Sequence, residues 1–105
     1  MDLDRLTAAL SAFSVLEPTA LPVHHIQVYL MVARAEPCLY DYIEEQLGLS
    51  NASVSRTVNA LADTHRTGRE GLRLLTVSKD PQERRRYLVS LSHRGRALLR
   101  QIKSL

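Results

Sequence analysis

Apolar residues recur along the chain at two spacings, and the change from one to the other divides it into elements. Leu3, Leu6, Ala9, Leu10 and Phe13 follow helical spacing, so Asp2 to about Val15 is predicted as an amphipathic helix. Pro18 and Pro22 bracket a break. Ile26, Val28, Tyr29, Leu30, Val32 and Ala33 form a mostly apolar second helix, which ends near Glu36-Pro37. Pro37 can open the next helix, because its missing N–H would lack an intrahelical partner anyway. Leu39, Tyr42, Ile43 and Leu47 give that third helix an apolar stripe, and Gly48 suits the left-handed residue that stops it.

Ser50 is a suitable N-cap for a fourth helix, since its hydroxyl can accept from an amide two or three residues on. Val54, Val58 and Leu61 share one face of this helix, which is expected to run to Asp63 or Thr64. His65 to Gly71 is polar, carries Gly68, and is predicted as a loop. Leu72–Ser78 and Arg86–Leu91 are rich in Leu, Val, Thr and Tyr and are predicted as strands. Between them Lys79 to Arg85 forms a charged turn seeded by Asp80-Pro81. Ser92 can cap a last helix, with Ala97, Leu98, Ile102 and Leu105 apolar. The expected fold is mainly α with a small β-hairpin wing. Residues 1–105 form one winged helix-turn-helix domain, with the helix-turn-helix over 37–64 and the wing over 72–91.

Charge is distributed unevenly on this frame. Residues 1–50 hold two basic and seven acidic residues, a net of −5, while residues 51–105 hold twelve basic and four acidic, a net of +8. A positive field confined to one half suits a polyanion, nucleic acid first, though a solvated basic face has the same composition. Twelve of the fourteen cations are arginine, whose planar fork matches phosphate and guanine.

The fourth helix can anchor through its valines and present Ser50, Asn51, Ser53, Ser55, Arg56 and Asn59 outward. Arg56 could donate to guanine, and Asn51 or Asn59 could pair with adenine. An ordinary surface helix also turns polar residues to water. Arg84, Arg85 and Arg86 stand together at the hairpin turn, where like charges repel. An arginine there gains most in a narrow minor groove, and Glu83 is placed to hold the guanidinium of Arg85. A solubilising basic loop is the plainer alternative.

Two stretches carry a family resemblance. Leu47 to Val58, with Gly48-Leu49-Ser50 before Ser53-Val54-Ser55-Arg56, resembles the helix-turn-helix of MarR-type transcription regulators. Lys79 to Gly95 resembles their wing and the start of the following helix: Glu83 two residues before Arg85, then Leu88-Val89-Ser90-Leu91-Ser92, then Gly95. The similarity runs from about residue 22 to residue 100 and fits a short version of that family. The resemblance implies that Ser53, Arg56 and their neighbours read the major groove. It implies that Arg85 enters the minor groove, buttressed by Glu83. It also implies that the helices over 1–16 and 92–105 form a homodimer, with half-sites about 34 Å apart. Glu83 stands where the family usually has Asp. The last helix is shorter than the usual dimer arm. The connection over 63–71, with His65, Arg66 and Arg69, is longer than usual and is expected to add phosphate contacts or shift the wing.

The function these features imply is a sequence-specific double-stranded-DNA-binding transcription regulator, most simply a dimeric repressor. Two alternatives use the same fold: a protein-interaction module acting on the transcription machinery, and a replication or partition DNA-binding protein. No nucleophile–base set, phosphate-cradling glycine loop or metal cluster appears, so no enzyme activity and no cofactor are expected. Cys38 is the lone cysteine and is expected to be buried rather than a redox switch. His24 and His25 are adjacent, should face different sides of a helix, and make a poor metal pair. Tyr29, Tyr40 and Tyr42 could line a small-molecule effector pocket, although core and rim positions suit them as well. No apolar run reaches the roughly 18 residues of a membrane span. Asp2 and Asp4 run opposite to a signal peptide's basic start, so a cytoplasmic location is expected.

Overall fold

The computed structural model describes residues 2–17, 19–62 and 71–105. Helix α1 (Leu3–Leu16) starts at Asp2, whose carboxylate accepts from the amides of Asp4 and Arg5. Helix α2 (Val23–Ala35) buries Val28, Tyr29, Met31 and Val32 at the centre of the molecule. Helix α3 (Tyr40–Leu47) ends at Gly48, which takes φ 66°. That left-handed conformation closes the α3 C-terminus and suits a residue with no Cβ. Helix α4 (Asn51–Leu61) follows at once, with Ser50 Oγ accepting from Ser53 N at 3.1 Å. Val54, Val58 and Leu61 of α4 are fully buried against the core built on Val28, Val32 and Ile43. Burying one such side chain contributes about 1.5–3 kcal/mol, so three on one face fix the rotation of α4 about its axis.

The hairpin strands are shorter than their apolar runs suggest. Leu75–Lys79 pairs antiparallel with Tyr87–Leu91, in the register Leu75 to Leu91, Val77 to Val89 and Lys79 to Tyr87. Leu72, Arg73 and Leu74 belong to no strand. Their amides donate to the carbonyls of Ala60, Ala62 and Leu61, which completes hydrogen bonds that the end of α4 leaves open. Arg73 adopts φ 61° in this return. Helix α4 stops at Leu61 with Ala62 as its cap, two residues before the expected end. Asp63, the loop residues His65 to Glu70, and with them Arg66 and Arg69, lie outside the described residues.

One element was not expected. Pro37 does not open α3; its peptide bond with Glu36 is cis, and Cys38–Leu39 runs extended beside Leu88 and Val89. With this two-residue strand as β1, Leu75–Lys79 as β2 and Tyr87–Leu91 as β3, the sheet order is β1-β3-β2. The physical reason is that β3 would otherwise show an open edge, and Cys38 and Leu39 can cover it while Cys38 is buried and Leu39 half-buried. Helix α5 (His93–Lys103) begins at Ser92, which caps the amide of Gly95. Gly95 lies flat against the backbone of Leu74, where an added Cβ would overlap the Leu74 carbonyl oxygen. The result is a winged helix-turn-helix: α3, the Gly48 turn and α4, then the β2–β3 hairpin as wing, with α1 and α5 on one another.

Candidate nucleic-acid interface

The polar residues of α4 divide between the helix's own termination and its outer surface. Ser50 is spent on the cap, and its hydroxyl also lies 3.2 Å from that of Ser53. Arg56 is exposed and folds back along the helix, donating to Ser53 Oγ at 3.4 Å. Asn51 donates from Nδ2 to the Glu44 carboxylate of α3 at 3.0 Å, so its amide is oriented by the preceding helix. Ser55 and Asn59 are half-buried.

The wing tip is built by two interlocked turns. Asp80 N donates to Arg86 O and Arg86 N to Glu83 O, each at 2.9 Å, while Asp80 Oδ1 accepts from Gln82 N. Glu83 Oε1 accepts both from the Arg85 amide and from its Nε, at 3.3 Å each. The side chain of Arg85 is 90% exposed. A pair this exposed adds little stability. Its effect is directional: one carboxylate holds backbone and guanidinium of the same residue. The Arg85 hydrogen bonds hold the Glu83 carboxyl below the usual carboxylate range. Arg84 projects from the turn into solvent.

Helix and wing meet in a groove of about 300 Å³. Asn51 and Ser55 line it from α4, Arg85 and Arg86 from the wing, and Tyr40, Asp41 and Tyr87 complete it. Ser50, Ser53, Arg56, Asn59 and Arg84 do not line this groove. The rings of Tyr40 and Tyr87 lie 6.0 Å apart in the groove wall. Burial, then the neighbouring Tyr87, pushes the Tyr40 hydroxyl above its ordinary pKa. These two tyrosines were not singled out together from sequence, because they are brought together only by the pairing of β1 with β3.

Tyr29, Tyr40 and Tyr42 do not share a pocket. Tyr29 is in the core, Tyr40 is in the groove, and Tyr42 borders a shallow depression beside Pro37 and Cys38. Cys38 is buried, and burial followed by the charge of Glu36 raises its thiol pKa. That environment suits an inert thiol. The rings of His24 and His25 pack edge to face at 4.7 Å, closer than opposite helix sides would allow. Among the described residues no group of three or more His, Cys, Asp or Glu is placed to hold a metal ion, and no helix is long and apolar enough to cross a membrane.

A linkage invisible in the sequence lies behind the wing. Glu36, at the end of α2, receives Arg96 Nη2 at 2.7 Å and Nη1 at 3.1 Å, and its Oε1 also accepts from Leu91 N at 3.1 Å. Sixty residues separate the two charges, so no local pattern announces the pair.

No protein-family model and no curated protein matches the chain. Solved structures do. A probable transcriptional regulator from Pseudomonas aeruginosa is 23% identical and superposes with a TM-score of 0.61, over 95% of this chain and 74% of that one. RV1404 from Mycobacterium tuberculosis is 23% identical with a TM-score of 0.66, over 97% of this chain and 65% of its own length. A MarR variant from E. coli, complexed with operator DNA, is 17% identical with a TM-score of 0.66, over 96% and 67% of the two chains. This chain thus spans about two thirds to three quarters of the length of these structures. Its helix-turn-helix, hairpin wing and flanking helices have the winged-helix fold of MarR-type transcriptional regulators.

Proposed function

We propose that the chain is a transcription regulator that binds duplex DNA as a symmetric dimer, with α4 in a major groove and the Arg85 wing tip in the adjacent minor groove. The observation that carries this reading is the shared groove: Asn51 and Ser55 of α4 and Arg85 and Arg86 of the wing border one concave surface. A helix reads base edges in the major groove, and an arginine gains most where a narrow minor groove concentrates negative potential. The +8 half of the chain supplies both elements. Ser53, Arg56 and Asn59 extend the contact along α4, and Arg84 adds a phosphate contact. Such a protein works in the cytoplasm, with the DNA, and the simplest output is repression by occluding a promoter.

The dimer is supported by α1. Leu3, Leu6 and Leu10 form a stripe on it that is 72%, 40% and 47% exposed. A contiguous apolar stripe on a small protein favours a partner surface, and a two-fold axis lets the same stripe cover itself. The groove with two tyrosine rings and two guanidinium groups also suits a small aromatic anion, which would then compete with DNA.

The test is selection of bound sequences from random duplex DNA, followed by gel shifts at several salt concentrations. A pseudo-palindrome with half-sites about one helical turn apart is expected, with affinity falling steeply as salt rises. No enriched sequence, together with no binding at low salt, would overturn the reading.

A further inference from the structure

We propose that Glu36 and Arg96 form a positioning latch that fixes the angle between the wing and α5, and so sets the spacing between half-sites that the protein accepts. This rests on the DNA-binding dimer proposed above. The chain turns a corner from β3 into α5 at Leu91, Ser92 and His93. One carboxylate spans that corner. Glu36 takes two hydrogen bonds from the guanidinium of Arg96, in the first turn of α5, and one from the amide of Leu91, the last residue of β3. The paired forks are the geometry that holds direction as well as distance. The Glu36 side chain is 19% exposed and that of Arg96 50%, so water reaches the pair mainly from the arginine side.

The other contacts at the corner hold α5 rather than the strand. Tyr29 OH donates to Gly95 O at 2.6 Å, Ser92 N donates to Leu74 O at 3.0 Å, and Gly95 rests on the Leu74 backbone. Leu74 in turn is bonded to the end of α4 through Leu61 O. These contacts tie α5 to α2 and α4. Among the described residues, the Glu36 carboxylate is the side chain that bonds α5 and the end of β3 at the same time.

A small rotation at this corner has a large effect at the tip. The chain from Leu91 back to Arg85 reaches about 20 Å at strand rise. A tilt of about 10° therefore carries the arginine about 3.5 Å, close to one base-pair step. In a symmetric dimer joined through α1 and α5, the displacement occurs twice. Loss of the latch should therefore loosen spacing more than it weakens contact with a single half-site.

The experiment offers the protein two of its selected half-sites separated by spacers of varied length. Wild type should enrich one spacing. Glu36→Gln keeps an oxygen for the Leu91 amide but loses the ion pair, and Arg96→Met removes the cation. Both should spread enrichment to spacings up to about two base pairs to either side, while binding to an isolated half-site stays within about fivefold of wild type. Arg96→Lys, which restores charge without the fork, should fall between. Variants with wild-type circular dichroism and the same single spacing would overturn the latch. If all three fail to fold, the pair is a stability element and the positioning role is equally overturned. A wild-type protein that enriches no sequence instead overturns the DNA reading, and the latch with it.

Discussion

The hydroxyl of Tyr29, in the middle of α2, donates to the carbonyl oxygen of Gly95, in the first turn of α5, at 2.6 Å. Burial, and then the charge of Glu36, pushes this phenol up to about 12. The neutral phenol is thus the form that the fold holds. Its contribution is complete below about pH 10, where an unfolded tyrosine would also be neutral. It is lost as the pH rises from there through about 12, because the unfolded chain releases the proton first. Denaturant melts at alkaline pH should show this loss. Tyr29→Phe should lower stability at neutral pH by about 1–3 kcal/mol and flatten the alkaline limb; an unchanged limb would exclude Tyr29 as its source.

Gly95→Ala tests the other side of the same contact. The new Cβ would meet the Leu74 carbonyl, a backbone atom that cannot rotate away. A cost of about 1–3 kcal/mol is expected, read as a fall in the thermal midpoint. Gly48→Ala offers a useful comparison. Its added Cβ meets nothing within 4 Å, and its cost would come from φ 66° alone.

At the wing, Arg85→Ala should lower operator affinity by about 1–3 kcal/mol and reduce the salt slope by about one. Arg85→Lys should recover the slope but not the full affinity, since an ammonium lacks the guanidinium fork. The carboxyl of Glu83 should titrate below the ordinary carboxylate range, followed by NMR, and return toward it in Arg85→Ala. Because that value is depressed in the folded protein, the pair is intact at neutral pH and loosens only as the pH falls through the lowered value.

Much of this arrangement was legible in the chain itself. Gly48, Ser50 and the Val54, Val58, Leu61 face announced the helix-turn-helix through local chemistry alone. Glu83 and Arg85 are two residues apart, and their contact could be read from that spacing. What stayed hidden depended on distant partners. Leu72–Leu74 looks like strand, yet its amides go to the α4 terminus. Two residues, Cys38 and Leu39, are too few to show a period, and Pro37 ahead of them suggested a helix start. Glu36 and Arg96, and the meeting of Tyr40 with Tyr87, are products of the tertiary fold.

Leu6→Glu and Leu10→Glu should separate the dimer without unfolding the subunit. Each leucine is exposed in the single chain, so a charge there costs the monomer little. Covered by a partner, each would contribute about 1.5–3 kcal/mol, counted twice across a two-fold axis. Sedimentation velocity should report a fall from twice the chain mass to one. A variant that keeps the wild-type sedimentation coefficient would remove α1 from the interface.

The two-residue strand β1 has a mechanical consequence. It grips β3 at Leu88 and Val89 and goes no further outward. The hairpin is therefore a cantilever with its fulcrum beside Leu88: there β3 is held between β1 and β2, whereas from Tyr87 to the tip β3 has only β2 beside it. Flexing that follows a distorted duplex falls mainly on the outer part that carries the arginines, while the set of the base is left to the corner at Leu91.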